Sequence, residues 1–104
     1  MPTIHHPDLT SVPLSGVLAA LSDPTRLEIV RRLDESGSAG CVCADIGVEA
    51  SKSALSHHFK VLRQAGVIHQ EPQGTARITT LRRDELDDRF PGLLKSVLTA
   101  TGPV

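Results

Sequence analysis

The stretch SKSALSHHFKVLRQAGVI, residues 51–68, decides the fold of this chain. Ser51 stands before a helical run as a favourable N-cap, and Gly66 follows it where a left-handed residue commonly ends a helix. Between them, three apolar side chains recur at the i, i+4, i+7 spacing of an amphipathic helix, namely Leu55, Phe59 and Leu62. The stretch therefore predicts a helix over residues 51–65.

The outer face of this predicted helix carries hydrogen-bond donors and no acidic residue. Its members are Lys52, Ser53, Ser56, His57, Lys60, Arg63 and Gln64. Residues 52–83 as a whole hold six lysines and arginines against the single acid Glu71, although the complete chain has a formal net charge of −1. A basic segment inside an otherwise acidic chain is typical of a localised DNA-binding surface, or of a solvated helical face.

Two helices are predicted upstream of this one. The first has an apolar stripe made of Leu14, Val17, Leu18 and Leu21. Asp23 and Pro24 suit the N-cap and the first position of the second helix, which we expect to end near Glu35 with Arg26 on its outer face. Residues 41–48 predict a short helix or a tight turn. Its expected inward contacts are Ala44, Ile46 and Val48.

Strand-like and helical patterns follow the central helix. Two β-prone segments flank the turn residues 72–75 and predict a hairpin over about 67–81. Residues 86–100 return to helical spacing, with Pro91 near the helix start. At the other end of the chain, residues 1–12 contain turn formers without apolar periodicity, so we expect a flexible N-terminal arm.

The order of these elements is typical of a winged helix-turn-helix, in which a helix enters the major groove of DNA beside a hairpin wing. We therefore expect a mainly α fold with a small β-hairpin wing that binds double-stranded DNA. The predicted contacts to base edges are Lys52, Ser53, Ser56 and His57. The predicted contacts to phosphates and the adjacent groove are Lys60, Arg63, Thr75 and Arg77.

Length and composition predict a single domain over residues 13–100 of the 104-residue chain. Aromatic residues make up only 2% of the sequence, so the core is aliphatic and small, and burial across a dimer interface would supplement it. Neither a secretory signal pattern nor a long apolar run is legible, which predicts a cytoplasmic location. No nucleophile with a base and an orienting group is legible either, so we expect no enzymatic activity.

Two stretches of the sequence resemble the ArsR/SmtB family of bacterial regulators, LSDPTRL at residues 21–27 and SALSHHFKVLRQAGVI at residues 53–68. The resemblance covers about residues 14–98. It implies a homodimer that binds operator DNA, often releases it when an inducer binds, and packs its first and last helices across the two-fold axis. The residues thereby assigned to the dimer interface, with intrachain core as the alternative, are Leu14, Val17, Leu18, Phe90, Leu93, Leu94, Val97 and Leu98.

The pair Cys41 and Cys43 looks like the Cys-Val-Cys element of the family's arsenic, cadmium and lead sensors, and neighbouring thiolates suit soft metals. A regulatory transition-metal ion bound by this pair is therefore one hypothesis. The pair lies one position out of register with that element, counted back from residues 56–58, and Ala44-Asp45 replaces the acid and leucine that usually follow. Reduced thiols without a ligand are the alternative.

The histidines are the second set of candidate metal ligands. His5 and His6 could supply nitrogen ligands or be solvated, whereas residues 84–100 contain no histidine for the zinc pattern that the family can carry on its last helix. His57 is interpreted as a DNA contact and His58 as a packing or hydrogen-bonding residue. A co-regulator protein is the other class of switch, and an interaction module of a metal- or redox-responsive complex is the alternative function.

Overall fold

The computed structural model describes residues 4–101. Within this range the elements are, in chain order, α1 (Leu14–Ala20), α2 (Pro24–Ser36), β1 (Cys41–Val42), α3 (Lys52–Gln64), β2 (Ile68–Gln73), β3 (Ala76–Leu81), α4 (Arg83–Arg89) and α5 (Leu93–Thr101). The strands form one antiparallel sheet in the order β1-β3-β2. No helix in residues 4–101 is long and apolar enough to cross a bilayer.

Both predicted N-caps are confirmed at the starts of α2 and α3. The Asp23 carboxylate accepts a hydrogen bond from the backbone N–H of Arg26 at 3.0 Å, and the Ser51 hydroxyl accepts one from the N–H of Ala54 at 3.1 Å. Gly66 then ends α3 with φ +78°, a conformation that costs glycine little. These local signals explain why α2 and α3 lie within a residue or two of their predicted bounds.

An aliphatic core joins the helices to the sheet, as the composition predicts. Its fully buried members include Ile29, Val30, Leu33, Leu62, Val67 and Ile68. Three residues predicted for the dimer interface also lie in this intrachain core, namely Val17, Phe90 and Leu94. Val17 and Leu94 line one small cavity with Leu21 and Val67, so these two side chains face the interior of the same copy.

The prediction of one continuous C-terminal helix over residues 86–100 is wrong. Residues 90–92 separate α4 from α5. Pro91 disfavours a helical conformation at Phe90, which takes φ −131° and ψ 76°, and Gly92 has φ +81°. Pro91 therefore lies between two helices, and its predicted position near a helix start is confirmed because α5 begins two residues later, at Leu93.

The described part of the predicted flexible arm is packed against the domain; residues 1–3 lie outside the described residues. A 3₁₀ turn spans Leu9–Ser11 and has Val12 as its C-cap. The side chains of Leu9 and Val12 are both buried. Pro7 is tied to the domain because its carbonyl accepts a hydrogen bond from the Arg82 guanidinium at 2.8 Å. Two buried side chains are enough to dock so short a segment, so its packing leaves no apolar periodicity in the sequence.

Residues 41–48 form β1 followed by a 3₁₀ turn, Cys43–Asp45. The tight turn was one of the two predicted conformations. Ile46 is buried and Val48 half-buried as expected, but Ala44 is exposed, contrary to the prediction that it faces inward. The reason is that pairing with β3 sets the orientation of this segment, and that contact is distant in sequence.

Candidate nucleic-acid interface

The solvent-facing side of α3 presents the donor residues that the sequence predicts. Those exposed are Lys52, Ser53, Ser56, His57, Lys60 and Gln64. The buried side of the same helix carries Phe59 and Leu62, which pack into the core. The core therefore holds α3 by one face and leaves a cationic and hydroxyl-bearing face free, with no carboxylate on the helix to repel a phosphate.

The wing lies beside this helix. The tip of the β2–β3 hairpin is at Gly74 and Thr75, and both Thr75 and Arg77 are exposed. A cleft of about 730 Å³ separates the wing from the first turns of α3, with Lys52 and Ser56 on one side and Thr75 and Arg77 on the other. Donors on both sides of one cleft can bind one nucleic-acid backbone.

Arg63 differs from the prediction that it faces outward as a phosphate contact. Its guanidinium is turned under the wing, where Nη1 donates to the side-chain oxygen of Gln70 at 2.7 Å and Nε is buried without a partner. Burial, and secondarily the nearby Arg77 charge, lowers the pKa of Arg63. The helix periodicity alone could not show this, because position 63 borders both the outer and the buried face.

Arg26 is a second arginine that faces inward, contrary to the sequence prediction. Its Nε donates to the carbonyl of Ala20 at 2.6 Å, and its Nη1 lies 3.2 Å from Nδ1 of His58. One side chain therefore joins the end of α1 and the start of α2 to the middle of α3. This contact confirms the interpretation of His58 as a hydrogen-bonding residue, and it joins α2 to the helix that carries the exposed donor side chains.

Cys41 and Cys43 are free thiols in different surroundings. The Cys41 thiol donates to the carbonyl of Val42 at 3.4 Å, whereas the Cys43 sulfur lies 3.0 Å from the Thr79 hydroxyl and accepts from the Gln70 amide at 3.2 Å. Burial raises the pKa of Cys41, with smaller contributions from Asp45 and Cys43, and metal binding needs the thiolate. Among residues 4–101, no group of three or more His, Cys, Asp or Glu side chains is placed to hold a metal ion.

The histidines of the N-terminal segment have separate environments. His5 is exposed, whereas His6 accepts a hydrogen bond through Nε2 from the backbone N–H of Gln70 at 2.9 Å. The His6 ring also stacks on His69, with ring centroids 4.3 Å apart. His6 therefore uses one ring nitrogen to hold the N-terminal segment against the wing.

The short 3₁₀ turn Cys43–Asp45 precedes α3, and a hairpin that flanks the exposed face of α3 follows it directly. This order of elements defines the winged helix-turn-helix class of proteins. The helix-turn-helix domain family matches residues 21–71 of the chain. The uncharacterized HTH-type transcriptional regulator YceK of Bacillus subtilis is 34% identical over 83 residues, covering 78% of this chain and 82% of the relative.

Two further relatives, both from Bacillus subtilis, are named as repressors. The arsenical resistance operon repressor is 38% identical over 80 residues, covering 76% of this chain and 71% of the relative. The transcriptional repressor SdpR is 31% identical over 85 residues, covering 81% and 92%. The chain belongs to the ArsR/SmtB family of winged helix-turn-helix transcriptional regulators, and it is a DNA-binding regulator.

Proposed function

We propose that this protein represses transcription by binding double-stranded operator DNA as a homodimer, with α3 in the major groove and the wing against the adjacent backbone. The observation that carries the proposal is the acid-free outer face of α3, which lies across a cleft from the wing residues Thr75 and Arg77. An α-helix fits the major groove, where donors on its first turns reach base edges. Relatives named as repressors support the direction of regulation.

The proposed DNA contacts are of two kinds, to base edges and to phosphates, according to where the side chain lies on α3 and the wing. The side chains proposed to read base edges are Lys52, Ser53, Ser56 and His57, which are exposed on its first two turns. Lys60, Thr75 and Arg77 are exposed further along the helix and on the wing, and they are proposed to contact phosphates. Arg63 is left out of the phosphate set because its guanidinium is engaged with Gln70.

The dimer is proposed to form through α1 and α5. Leu14 and Leu18 are 47% and 45% exposed, and their i, i+4 spacing places both on one stripe of α1. Leu93, Val97 and Leu98 of α5 are half-buried. Exposed leucines on an element that also packs into the core are consistent with a second copy covering them, as the family resemblance implies.

A titration tests the DNA-binding proposal. We expect specific affinity for a fragment of roughly 30 bp from the protein's own promoter region, measured at several salt concentrations against scrambled DNA of the same composition. Lys60→Ala and Arg77→Ala should each weaken binding to both DNAs and reduce the salt slope by about 2, because each removes one phosphate contact from both copies of the dimer. Lys95→Ala removes the same charge from α5 and should change neither quantity. Equal affinity for promoter and scrambled DNA would contradict the proposal.

For the switch, we propose a thiophilic metal ion at Cys41 and Cys43, with a partner protein as the second class of inducer. The metal is supported by the thiol pair and by the similarity to the arsenical resistance operon repressor of Bacillus subtilis. Arsenite and Cd²⁺ should release the protein from operator DNA, and a Cys41→Ser, Cys43→Ser variant should stay bound. Release that persists in the double variant would exclude the thiols as ligands, and a wild-type complex that neither ion releases would leave the partner protein as the inducer.

A further inference from the structure

Gln70 is a buried polar residue of β2, an edge strand of the sheet. Its side chain is 2% exposed, and it pairs across β2 and β3 with Thr79, which is fully buried. The Gln70 amide nitrogen donates to the Cys43 sulfur at 3.2 Å and lies 3.3 Å from the Thr79 hydroxyl. A buried amide is costly unless its donors and acceptor find partners, and here both ends of the amide are engaged.

The acceptor end of the same amide reaches the DNA-facing helix. The Gln70 oxygen accepts from Nη1 of Arg63, in the last turn of α3, at 2.7 Å. Among the described residues this is the single hydrogen bond of the Arg63 guanidinium, and no carboxylate lies within ion-pair distance of it. A charge-assisted hydrogen bond in a partly buried position is directional and stronger than a neutral one, so it constrains the angle between the two elements it joins.

We propose that Gln70 is a positioning residue that sets the angle of the wing relative to α3, through its hydrogen bond with Arg63. Thr75, at the tip of the wing, lies five residues beyond Gln70, or about 17 Å at about 3.3 Å per residue. A small rotation at Gln70 therefore displaces the tip by several ångströms and removes it from a backbone that α3 has bound. This inference rests on the wing contact in the proposed function. It assigns to Gln70 and Arg63 a role in DNA affinity without contact to DNA.

A double-mutant cycle in DNA binding tests the proposal. Gln70→Met keeps the length of the side chain and removes its hydrogen bonds. In wild-type protein, Arg77→Ala should weaken operator binding several-fold; in the Gln70→Met background it should have no further effect, because a misplaced wing has lost that contact already. Lys60→Ala should keep its full effect in both backgrounds. A merely structural role for Gln70 would reduce the two contributions alike, and an undiminished Arg77→Ala effect would overturn the proposal.

A conservative variant adds a rescue. Gln70→Glu keeps an oxygen acceptor for Arg63 and should restore most of the Arg77→Ala effect that Gln70→Met abolishes. Arg63→Met breaks the same hydrogen bond from the helix side, so it should reproduce the Gln70→Met pattern. Failure of Arg63→Met to do so, in protein whose circular dichroism shows it folded, would also overturn the proposal.

Nitrogen-15 relaxation of the free protein tests the same claim without DNA. The amide order parameters at residues 73–76 should fall from about 0.85 in wild-type protein toward about 0.6 in Gln70→Met, which reports increased motion on the ps–ns timescale. Glu71→Gln changes the exposed neighbour of Gln70 on β2 and should leave these values unchanged. If Arg77→Ala has no effect on DNA binding in wild-type protein, the wing contact of the proposed function is wrong. The positioning role of Gln70 is tested separately, because unchanged order parameters in Gln70→Met would overturn it.

Discussion

His6 links the N-terminal segment to the wing through one ring nitrogen. Nε2 accepts the Gln70 N–H at 2.9 Å, which requires a lone pair on that nitrogen and therefore a neutral ring when the hydrogen bond is made. Burial lowers the pKa of His6 from its ordinary value, and the neighbouring His69, Arg82 and Arg63 lower it further. Protonation would break the hydrogen bond and add a cation to this group.

This geometry predicts a pH-dependent stability. Above about pH 6.5, the ordinary pKa of histidine, His6 is neutral in both the folded and the unfolded chain and contributes no slope. As the pH falls from there toward the lowered folded-state pKa, the unfolded chain binds the proton first, so the free energy of unfolding decreases. Chemical denaturation measured between pH 7.5 and about pH 5 should show this loss.

Variants at the two adjacent histidines isolate the contribution of His6. His6→Ala should flatten the slope of unfolding free energy just below pH 6.5, because it removes the group whose pKa differs between the two states. His5→Ala is a matched control, since His5 is exposed and one residue away. An identical slope in wild-type protein and His6→Ala would show that the hydrogen bond to Gln70 does not control titration in this range.

At the scale of elements, Gly66 ends α3 and also leaves room for the docked N-terminal segment. Its φ is +78°, and a Cβ built there would lie 2.5 Å from Cδ2 of Leu9. Gly66→Ala should therefore destabilise the fold by the left-handed backbone cost of about 1–2 kcal/mol and, in addition, by displacement of Leu9. Urea unfolding monitored by circular dichroism measures the difference.

The turn of the wing offers a control with the same backbone but no neighbour. Gly74 has φ +63°, and no atom lies within 4 Å of a Cβ built on it. Gly74→Ala should lose only the backbone contribution, so it should be less destabilised than Gly66→Ala. Equal losses in the two variants would mean that Leu9 does not pack against the end of α3 in solution.

The elements that the sequence predicts well are those whose signals are local. The α3 helix carries its own cap at Ser51, its apolar spacing and its stop at Gly66, so its bounds follow from adjacent residues. β1 could not be found in this way, because it has two residues and exists only through pairing with β3. Pro91 alone could not locate the break between α4 and α5, because a proline is compatible with both a helix start and an interhelical turn.

Candidate site residues follow the same division. The exposed donors from Lys52 to Lys60 were predictable because helix periodicity separates them from Phe59 and Leu62. The inward orientation of Arg26 and Arg63 was not predictable. Arg26 contacts His58, which is distant in sequence, and Arg63 donates to Gln70, which lies beyond the end of α3. Long side chains at the border of a helix face are decided by the neighbours they reach, and those neighbours are known only from the tertiary fold.

At the scale of the whole molecule, size and charge both favour two copies on one DNA segment. The chain measures 35 × 33 × 23 Å, and one turn of B-DNA is about 34 Å long, so two adjacent copies can place their recognition helices in successive major grooves. The net charge of −1 gives no overall attraction to DNA, whereas the basic segment of residues 52–83 concentrates positive charge around α3 and the wing. Doubling that surface in a dimer doubles the number of phosphates it can neutralise.

Leu18→Glu tests the dimer and its consequence for DNA binding together. A two-fold axis near α1 would bring the new carboxylates of both copies into an apolar contact, so we expect a monomer by light scattering at concentrations where the wild-type protein is a dimer. Operator affinity should fall and its dependence on salt should weaken, because a single copy contacts one half-site.

Ala19→Glu adds the same charge at the next exposed position of α1 and should leave the dimer intact. If Leu18→Glu stays dimeric while Ala19→Glu dissociates, the two-fold axis lies against the neighbouring face of α1; if both stay dimeric, the interface does not include α1.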